Sequence, residues 1–138
     1  MTEPADPVGT IFDRVGEAAI CGLVARFYAR VRNDDLIGPM YPPGDWENAE
    51  RRLGLFLIQR FGGPPTYSEQ RGHPRLRMRH APFAITEAAA VRWLELMRDS
   101  LAAADDIPAD VSKAMWPYFV STANFMVNAL SPAPDAGS

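Results

Sequence analysis

Apolar residues recur every three or four positions through most of this chain, which is the period of a helix buried along one side. In the first such stretch the apolar positions include Ile20, Leu23 and Phe27. No stretch alternates with the two-residue period of a strand, so the pattern predicts an all-α fold. The four main helices are predicted from about Asp13 to Arg32, Asp45 to Phe61, Thr86 to Ala104 and Pro108 to Leu130.

Proline and glycine interrupt this pattern in two places. The stretch "LIGPMYPPGD" predicts a loop or short turns. The connection between the second and third helices is longer than the two to eight residues that are usual in small helical bundles. It carries apolar residues such as Tyr67 and Ile85, so we expect it to pack against the rest of the molecule. Within it a short helix is predicted from Pro74 to about His80, and Pro82 prevents its continuation.

Length and composition favour a single small domain. The chain has 138 residues, of which 47% are hydrophobic, and this is enough for a real core. The Pro-rich polar ends predict a flexible extension over residues 1–12 and a flexible tail over residues 131–138, with the folded domain at 13–130. One cysteine excludes an internal disulfide framework, and neither a signal peptide nor a membrane span is recognisable. The simplest expected location is the cytoplasm.

His80 is the most informative titratable residue, because it follows the alternating stretch "RLRMR" just before a proline. It could be a core histidine, part of a basic nucleic-acid surface or a metal ligand. No second histidine, cysteine or carboxylate stands at a spacing typical of zinc sites. A haem iron needs only one protein ligand, because the porphyrin supplies four nitrogens, so haem is one of the open alternatives.

Arginines and aromatic residues with polar tips leave structural and ligand-binding roles open in the same way. Four arginines between residues 71 and 79 could form a solvated face, contact nucleic acid or pair with the carboxylates of a haem. The formal net charge of -3 argues weakly against nucleic acid. Tyr28, Tyr41 and Trp93 could be ordinary core residues, or their hydroxyl and indole groups could face a polar ligand in a pocket.

Four stretches of the sequence, "RFYARV", "MYPPGDWENAERRLGLFL", "FGGPPTYSEQRGHPRLRMRHAPFAI" and "VRWLELM", resemble the group II truncated haemoglobins, specifically the actinobacterial O-type proteins. The resemblance runs from about residue 13 to 129, and the run "TYSEQRGHPRLRMRHAPF" is highly specific for the group. One departure is local: the family often has a pair of glycines entering the first long helix, and this chain has Gly16 followed by Glu17.

The resemblance implies a two-over-two helical sandwich that encloses haem b. It places His80 as the proximal iron ligand, and Tyr28, Tyr41 and Trp93 as the distal hydrogen-bonding residues. It also implies a distal gate at Ala49 and pocket walls formed by Leu53, Phe56 and Leu57. The implied proximal floor consists of Leu76 and Phe83, and the implied partners of the propionates are Tyr67, Arg52 and Arg79.

Such a site predicts a protein that binds oxygen and other diatomic ligands tightly and releases them slowly. Slow release suits oxygen transport poorly and suits redox chemistry or sensing better. The alternative is therefore a haem oxidoreductase with peroxidase-like or nitric-oxide-detoxifying activity, which would need a separate reductase. No nucleic acid and no membrane is expected as a partner, and a homodimer is left open.

Overall fold

The computed structural model describes residues 8–72 and 85–127, and the regular structure of this part of the chain is entirely helical. The all-α prediction is thereby confirmed. Across the described residues no helix has the length and apolar character needed to cross a membrane. The elements are α1 (Ile11–Val31), a single 3-10 turn (Gly38–Met40), α2 (Trp46–Arg60), α3 (Thr66–Arg71), α4 (Glu87–Ala102) and α5 (Ala109–Met126).

The four main helices lie where the apolar pattern predicted them, with ends that differ by a few residues. The largest difference is inside α1, where Gly16 leaves the helical conformation with φ of 82° and ψ of 170°. This positive φ favours glycine, and it kinks the helix between Val15 and Glu17. Gly16 therefore supplies the turn at the start of the long helix without a second glycine.

The residues just before α1 pack against the end of α2. Val8 and Ile11 are almost completely buried, although both fall within the segment 1–12 that the sequence predicted to be flexible. The Phe12 amide donates to the Phe61 carbonyl at 2.8 Å. Gly62 has φ of 100°, and a Cβ there would lie 2.0 Å from the carbonyl oxygen of Gly9. This close approach of two backbones fixes the start of the described chain on the core.

Two helix pairs form the core. The first pair is α1 with α2, the second is α4 with α5, and α1 also packs against α4. The largest fully buried side chains include Phe27 of α1, Phe61 after α2 and Phe119 of α5. Thr86 caps the start of α4 by accepting a hydrogen bond from the Ala89 amide at 3.1 Å, as an N-cap residue does.

The helix α3 (Thr66–Arg71) was not predicted, because only six residues separate Pro65 from Gly72. A hydrogen-bonded pair holds it to α2: Gln59 donates to Ser68 Oγ at 2.8 Å and accepts from the Ser68 amide at 2.9 Å. This contact satisfies one of the amides that a helix N-terminus leaves without an internal partner. The short helix predicted from Pro74 to His80 lies outside the described residues.

Candidate functional site

A cavity of about 290 Å³ opens between the two helix pairs. A second cavity, of about 220 Å³, adjoins it and shares Tyr41, Arg52 and Trp93 among its lining residues. Taken together, the two reach the size of roughly 300–1,000 Å³ that is usual for cofactor pockets. The larger cavity is lined by Tyr28, Tyr41, Ala49, Arg52, Leu53, Phe56, Leu57, Tyr67, Arg71, Trp93, Tyr118, Phe119, Thr122 and Met126.

The sequence-predicted site residues that the structure describes come together around this larger cavity. They come from the first helix, the loop after it, the second helix, α3 and α4. Four further predicted residues, His80, Leu76, Arg79 and Phe83, lie outside the described residues. The residues brought together are Tyr28, Tyr41, Ala49, Arg52, Leu53, Phe56, Leu57, Tyr67 and Trp93.

Tyr28 reaches the cavity from the buried face of α1. Only 5% of its surface is exposed, and its ring stands edge-on to Tyr41, with ring centroids 5.6 Å apart and planes at 90°. Burial is the main cause that raises the pKa of the Tyr28 hydroxyl well above its ordinary value. A hydrogen bond between the two side chains raises the pKa of Tyr28 and opposes the rise at Tyr41. The hydroxyl groups of Tyr28 and Tyr41 therefore influence each other's titration.

Tyr41 lies at the end of the 3-10 turn, where its backbone becomes extended. Its ring stacks on Trp46 at the start of α2, with centroids 5.2 Å apart and planes at 29°. The Arg32 guanidinium lies over the Trp46 ring, 5.4 Å from the ring centroid. Burial raises the pKa of the Tyr41 hydroxyl, so this group is a neutral hydrogen-bond donor at ordinary pH.

Trp93 faces the cavity from α4. Its ring packs against Phe27 at 4.9 Å and against Phe119 at 5.8 Å between centroids. Because these two phenylalanines belong to α1 and α5, Trp93 is held where three helices meet. Trp93 also lines the second cavity, so its indole lies on the boundary between the two.

The wall that α2 contributes is apolar and follows helical spacing. Ala49, Leu53, Phe56 and Leu57 stand at intervals of four, three and one residues, which places them along one face. Ala49 and Leu57 are almost completely buried, at 3% and 1% exposure. The small Ala49 side chain offers neither a hydrogen-bond donor nor much bulk at this point of the wall.

Two cationic side chains, Arg52 and Arg71, are among the residues that line the cavity. Arg52 forms an ion pair with Asp45 at 2.8 Å, and the hydrogen bond from Arg52 is the main cause that lowers the pKa of the Asp45 carboxyl. Arg71 lies over the ring of Tyr67 at 5.9 Å. Tyr67 itself is buried and packs edge-on against Phe56 at 5.5 Å between centroids.

Sequence reasoning missed the contribution of α5 to the cavity. The apolar spacing of this helix was recognised, but that spacing is the same for a residue that packs in the core and for one that faces a cavity. Arg71 was assigned only to the arginine-rich segment, since nothing in the sequence placed it near α2. The missed lining residues are Arg71, Tyr118, Phe119, Thr122 and Met126.

These walls fit a flat apolar cofactor that carries carboxylates. Apolar side chains such as Leu53 and Phe119 cover most of the larger cavity, and the guanidinium groups of Arg52 and Arg71 lie among its lining residues. Haem has this combination of a wide apolar ring and two propionates. Since Arg pairs well with carboxylates, the described residues are chemically suited to hold haem.

Comparisons with known proteins agree with this geometry. A family model described as bacterial-like globin matches residues 10–128. The group 2 truncated hemoglobin YjbI of Bacillus subtilis is 37% identical over 117 residues, covering 85% of this chain and 87% of its own. The predicted resemblance to group II truncated haemoglobins is thereby confirmed.

Solved structures of related proteins superpose over most of the chain. A thermostable hemoglobin from the actinobacterium Thermobifida fusca is 47% identical, with a TM-score of 0.82 over 86% of this chain and 97% of its own. A truncated oxygen-avid haemoglobin from Bacillus subtilis is 35% identical, with a TM-score of 0.81 over 86% of this chain and 99% of its own. The predicted truncated-globin fold is therefore confirmed, and the chain belongs to the bacterial-like globin family of haem proteins.

Proposed function

We propose that this globin holds haem b with His80 as the iron ligand, and binds oxygen tightly on the side that Tyr28, Tyr41 and Trp93 face. One observation carries the proposal: these three polar-tipped aromatic residues, from three different elements, line one cavity. Core packing alone does not require three such groups to converge, whereas a polar ligand inside an apolar pocket needs hydrogen-bond donors.

The hydrogen bond between the tyrosines gives each hydroxyl a distinct role. Each tyrosine has one hydroxyl proton, and we propose that Tyr28 directs its proton to the Tyr41 oxygen, which agrees with the raised pKa of Tyr28. The proton of Tyr41 is therefore left to donate to a ligand in the cavity. Trp93 has a donor only, its indole N–H, and is the second candidate to hold the ligand.

When bound, haem supplies an iron that takes oxygen or another diatomic molecule as a ligand. A hydrogen bond to a charged or strongly polarised group is worth about 1.5–3 kcal/mol. Each donor would therefore slow release by roughly 10- to 100-fold. Tyr41 and Trp93 together account for tight binding, and Ala49 leaves space for a ligand to pass.

The other contacts follow from the position of the cavity walls. Leu53, Phe56 and Leu57 cover the face of the cofactor, and Arg52 and Tyr67 are proposed partners of its propionates. Arg52 already donates a hydrogen bond to the Asp45 carboxylate. In this proposal that bond orients the guanidinium toward the propionate. Arg79 is a further proposed propionate partner, with Leu76 and Phe83 as the proximal floor.

The solved Bacillus subtilis relative is described as oxygen-avid, and this supports tight oxygen binding here. A second candidate function is a haem oxidoreductase, with peroxidase-like or nitric-oxide-detoxifying turnover and a separate reductase. It is favoured by the same donors, since slow release gives a bound ligand time to react. Consumption of nitric oxide or peroxide in the presence of an added electron donor would distinguish turnover from simple binding.

Haem titration of the purified haem-free protein tests the proposed function. We expect an intense Soret band that saturates at one haem per chain. Replacement of His80 by alanine should weaken haem retention strongly, whereas His73→Ala, the matched control on the other histidine, should retain haem like the parent. No Soret band after reconstitution would reject the haem site, and equal haem loss in both variants would reject His80 as the ligand.

A further inference from the structure

Asp34 is a buried carboxylate between α1 and the 3-10 turn. Its exposed fraction is 9%, which is low for an aspartate. One carboxylate oxygen, Oδ2, accepts hydrogen bonds from the amides of Leu36 at 3.1 Å and Ile37 at 2.9 Å. The other, Oδ1, accepts from Arg92 Nε on α4 at 2.5 Å. The carboxylate therefore joins two segments that are far apart in the sequence.

A continuous series of backbone hydrogen bonds leads from Asp34 to Tyr41. The Asp34 carbonyl accepts from the Gly38 amide at 3.1 Å, and the Gly38 carbonyl accepts from the Tyr41 amide at 3.2 Å. The turn is also tightly packed, since a Cβ on Gly38 would lie 2.7 Å from the Val31 carbonyl oxygen. A loop held in this way transmits the position of Asp34 to the Tyr41 backbone.

The ion pair with Arg92 connects Asp34 to Trp93, because Trp93 directly follows Arg92 on α4. Residues in consecutive positions of a helix move together, because the backbone hydrogen bonds make the turn stiff. Arg92 also bonds Glu95 at 3.1 Å, but that carboxylate is half exposed and belongs to the same helix. Only Asp34, among the described partners of Arg92, connects α4 to the loop that carries Tyr41.

We propose that Asp34 is a positioning residue that sets the distance between Tyr41 and Trp93 across the cavity, by holding the loop with one carboxylate oxygen and Arg92 with the other. This inference rests on the proposed function, in which Tyr41 and Trp93 donate to the bound ligand. Asp34 itself does not line either cavity, so it acts through the two residues that do.

The test uses four variants of the haem-loaded protein: Asp34→Ala, Asp34→Asn, Arg92→Gln and the control Glu95→Gln. The control removes the other carboxylate partner of Arg92 while it leaves the loop contact intact. The measured quantities are the infrared stretching band of bound carbon monoxide, which reports nearby donors, and the oxygen dissociation rate. Near-ultraviolet circular dichroism of the haem-free protein gives an independent measure of aromatic packing.

We expect Asp34→Ala and Arg92→Gln to shift or broaden the carbon monoxide band and to speed oxygen release roughly fivefold, the factor expected when a hydrogen bond is partly lost. Asp34→Asn should have a smaller effect, because an amide oxygen still accepts. Glu95→Gln should match the parent. If Asp34→Ala does not fold, Arg92→Gln makes the same test from the other partner.

Combining Asp34→Ala with Tyr41→Phe and Trp93→Phe distinguishes a failure of this inference from a failure of the proposed function. If Asp34 acts through the two donors, Asp34→Ala should have little further effect once both donors are removed. Folded Asp34→Ala and Arg92→Gln proteins with a parental band and parental release would overturn the inference, even if their melting temperature falls. If the Tyr41→Phe and Trp93→Phe variants themselves behave like the parent, the proposed function fails instead.

Discussion

The rings of Tyr28 and Tyr41 stand perpendicular with centroids 5.6 Å apart, and burial raises the pKa of both hydroxyl groups. Tyr28 is on α1 and Tyr41 is in the loop before α2, so this contact joins two elements that line the same cavity. In the proposed arrangement the single hydroxyl proton of Tyr28 is donated to Tyr41, and the proton of Tyr41 is left to contact the ligand.

Tyr28→Phe should therefore speed oxygen release less than Tyr41→Phe does. The first change only removes the group that orients Tyr41, with an expected effect of roughly threefold to fivefold, whereas the second removes a donor worth roughly tenfold or more. Stopped-flow measurement of oxygen dissociation compares the two variants with the parent. An effect of Tyr28→Phe as large as that of Tyr41→Phe would contradict this division of roles.

The same two tyrosines predict a loss of stability in alkaline solution. Burial raises the pKa of both hydroxyls above the ordinary value of about 10. Below that pH both folded and unfolded chains keep these protons, and the contribution to stability is fully present. Above it the unfolded chain loses protons first, so the free energy of unfolding falls as pH rises toward the folded-state pKa.

Urea unfolding of the haem-free protein between pH 8 and pH 11 would measure this loss. We expect the slope of stability against pH above about pH 10 to be shallower in Tyr28→Phe than in the parent. An unchanged slope in the variant would show that ionisation of Tyr28 does not cause the loss of stability in alkaline solution.

Much of this fold and site could be predicted because it depends on local spacing and on a specific motif. The stripe that includes Leu23 and Phe27 predicts α1 whatever its neighbours are. The residues of α2 that face the cavity, such as Ala49 and Leu53, stand on one helical face and were assigned through the family resemblance.

The parts that could not be predicted depend on contacts between distant residues. The helix α3 is stabilised by Gln59 from another element, so its six residues carry no clear signal of their own. The ion pair of Asp34 with Arg92 joins residues that are 58 positions apart in the chain. Likewise, nothing in the spacing of α5 distinguishes Phe119 on the cavity wall from an ordinary core residue.

Two glycines with positive φ form a matched pair for stability measurements. Gly44→Ala places a side chain at φ of 82° with no heavy atom within 4 Å, so we expect a loss of about 1–2 kcal/mol from backbone strain alone. Gly62→Ala has a similar φ but would place its Cβ 2.0 Å from the Gly9 carbonyl oxygen. Its loss should be clearly larger, as measured by urea unfolding. Equal losses would mean that the approach to Gly9 is not maintained in solution.

Arg52 and Arg51 are neighbouring arginines on α2 that should differ in their effect on haem retention. Arg52 lines both cavities, whereas Arg51 is exposed and contacts Gln70 at 3.4 Å. Arg52→Gln should therefore speed haem loss to a scavenger protein by roughly tenfold, the value of one charged hydrogen bond. Arg51→Gln should lose haem like the parent, and similar rates in both variants would exclude Arg52 as a propionate partner.

Oxygen dissociation from the reduced haem-loaded protein shows whether Tyr41 and Trp93 hold the ligand, when the parent is compared with Trp93→Phe, Tyr41→Phe and the double variant. We expect slow release in the parent, at least roughly tenfold faster release in each single variant, and still faster release when both donors are removed. Parental release from the double variant would contradict this expectation, because the convergence of these residues on one cavity would then have no part in holding the ligand.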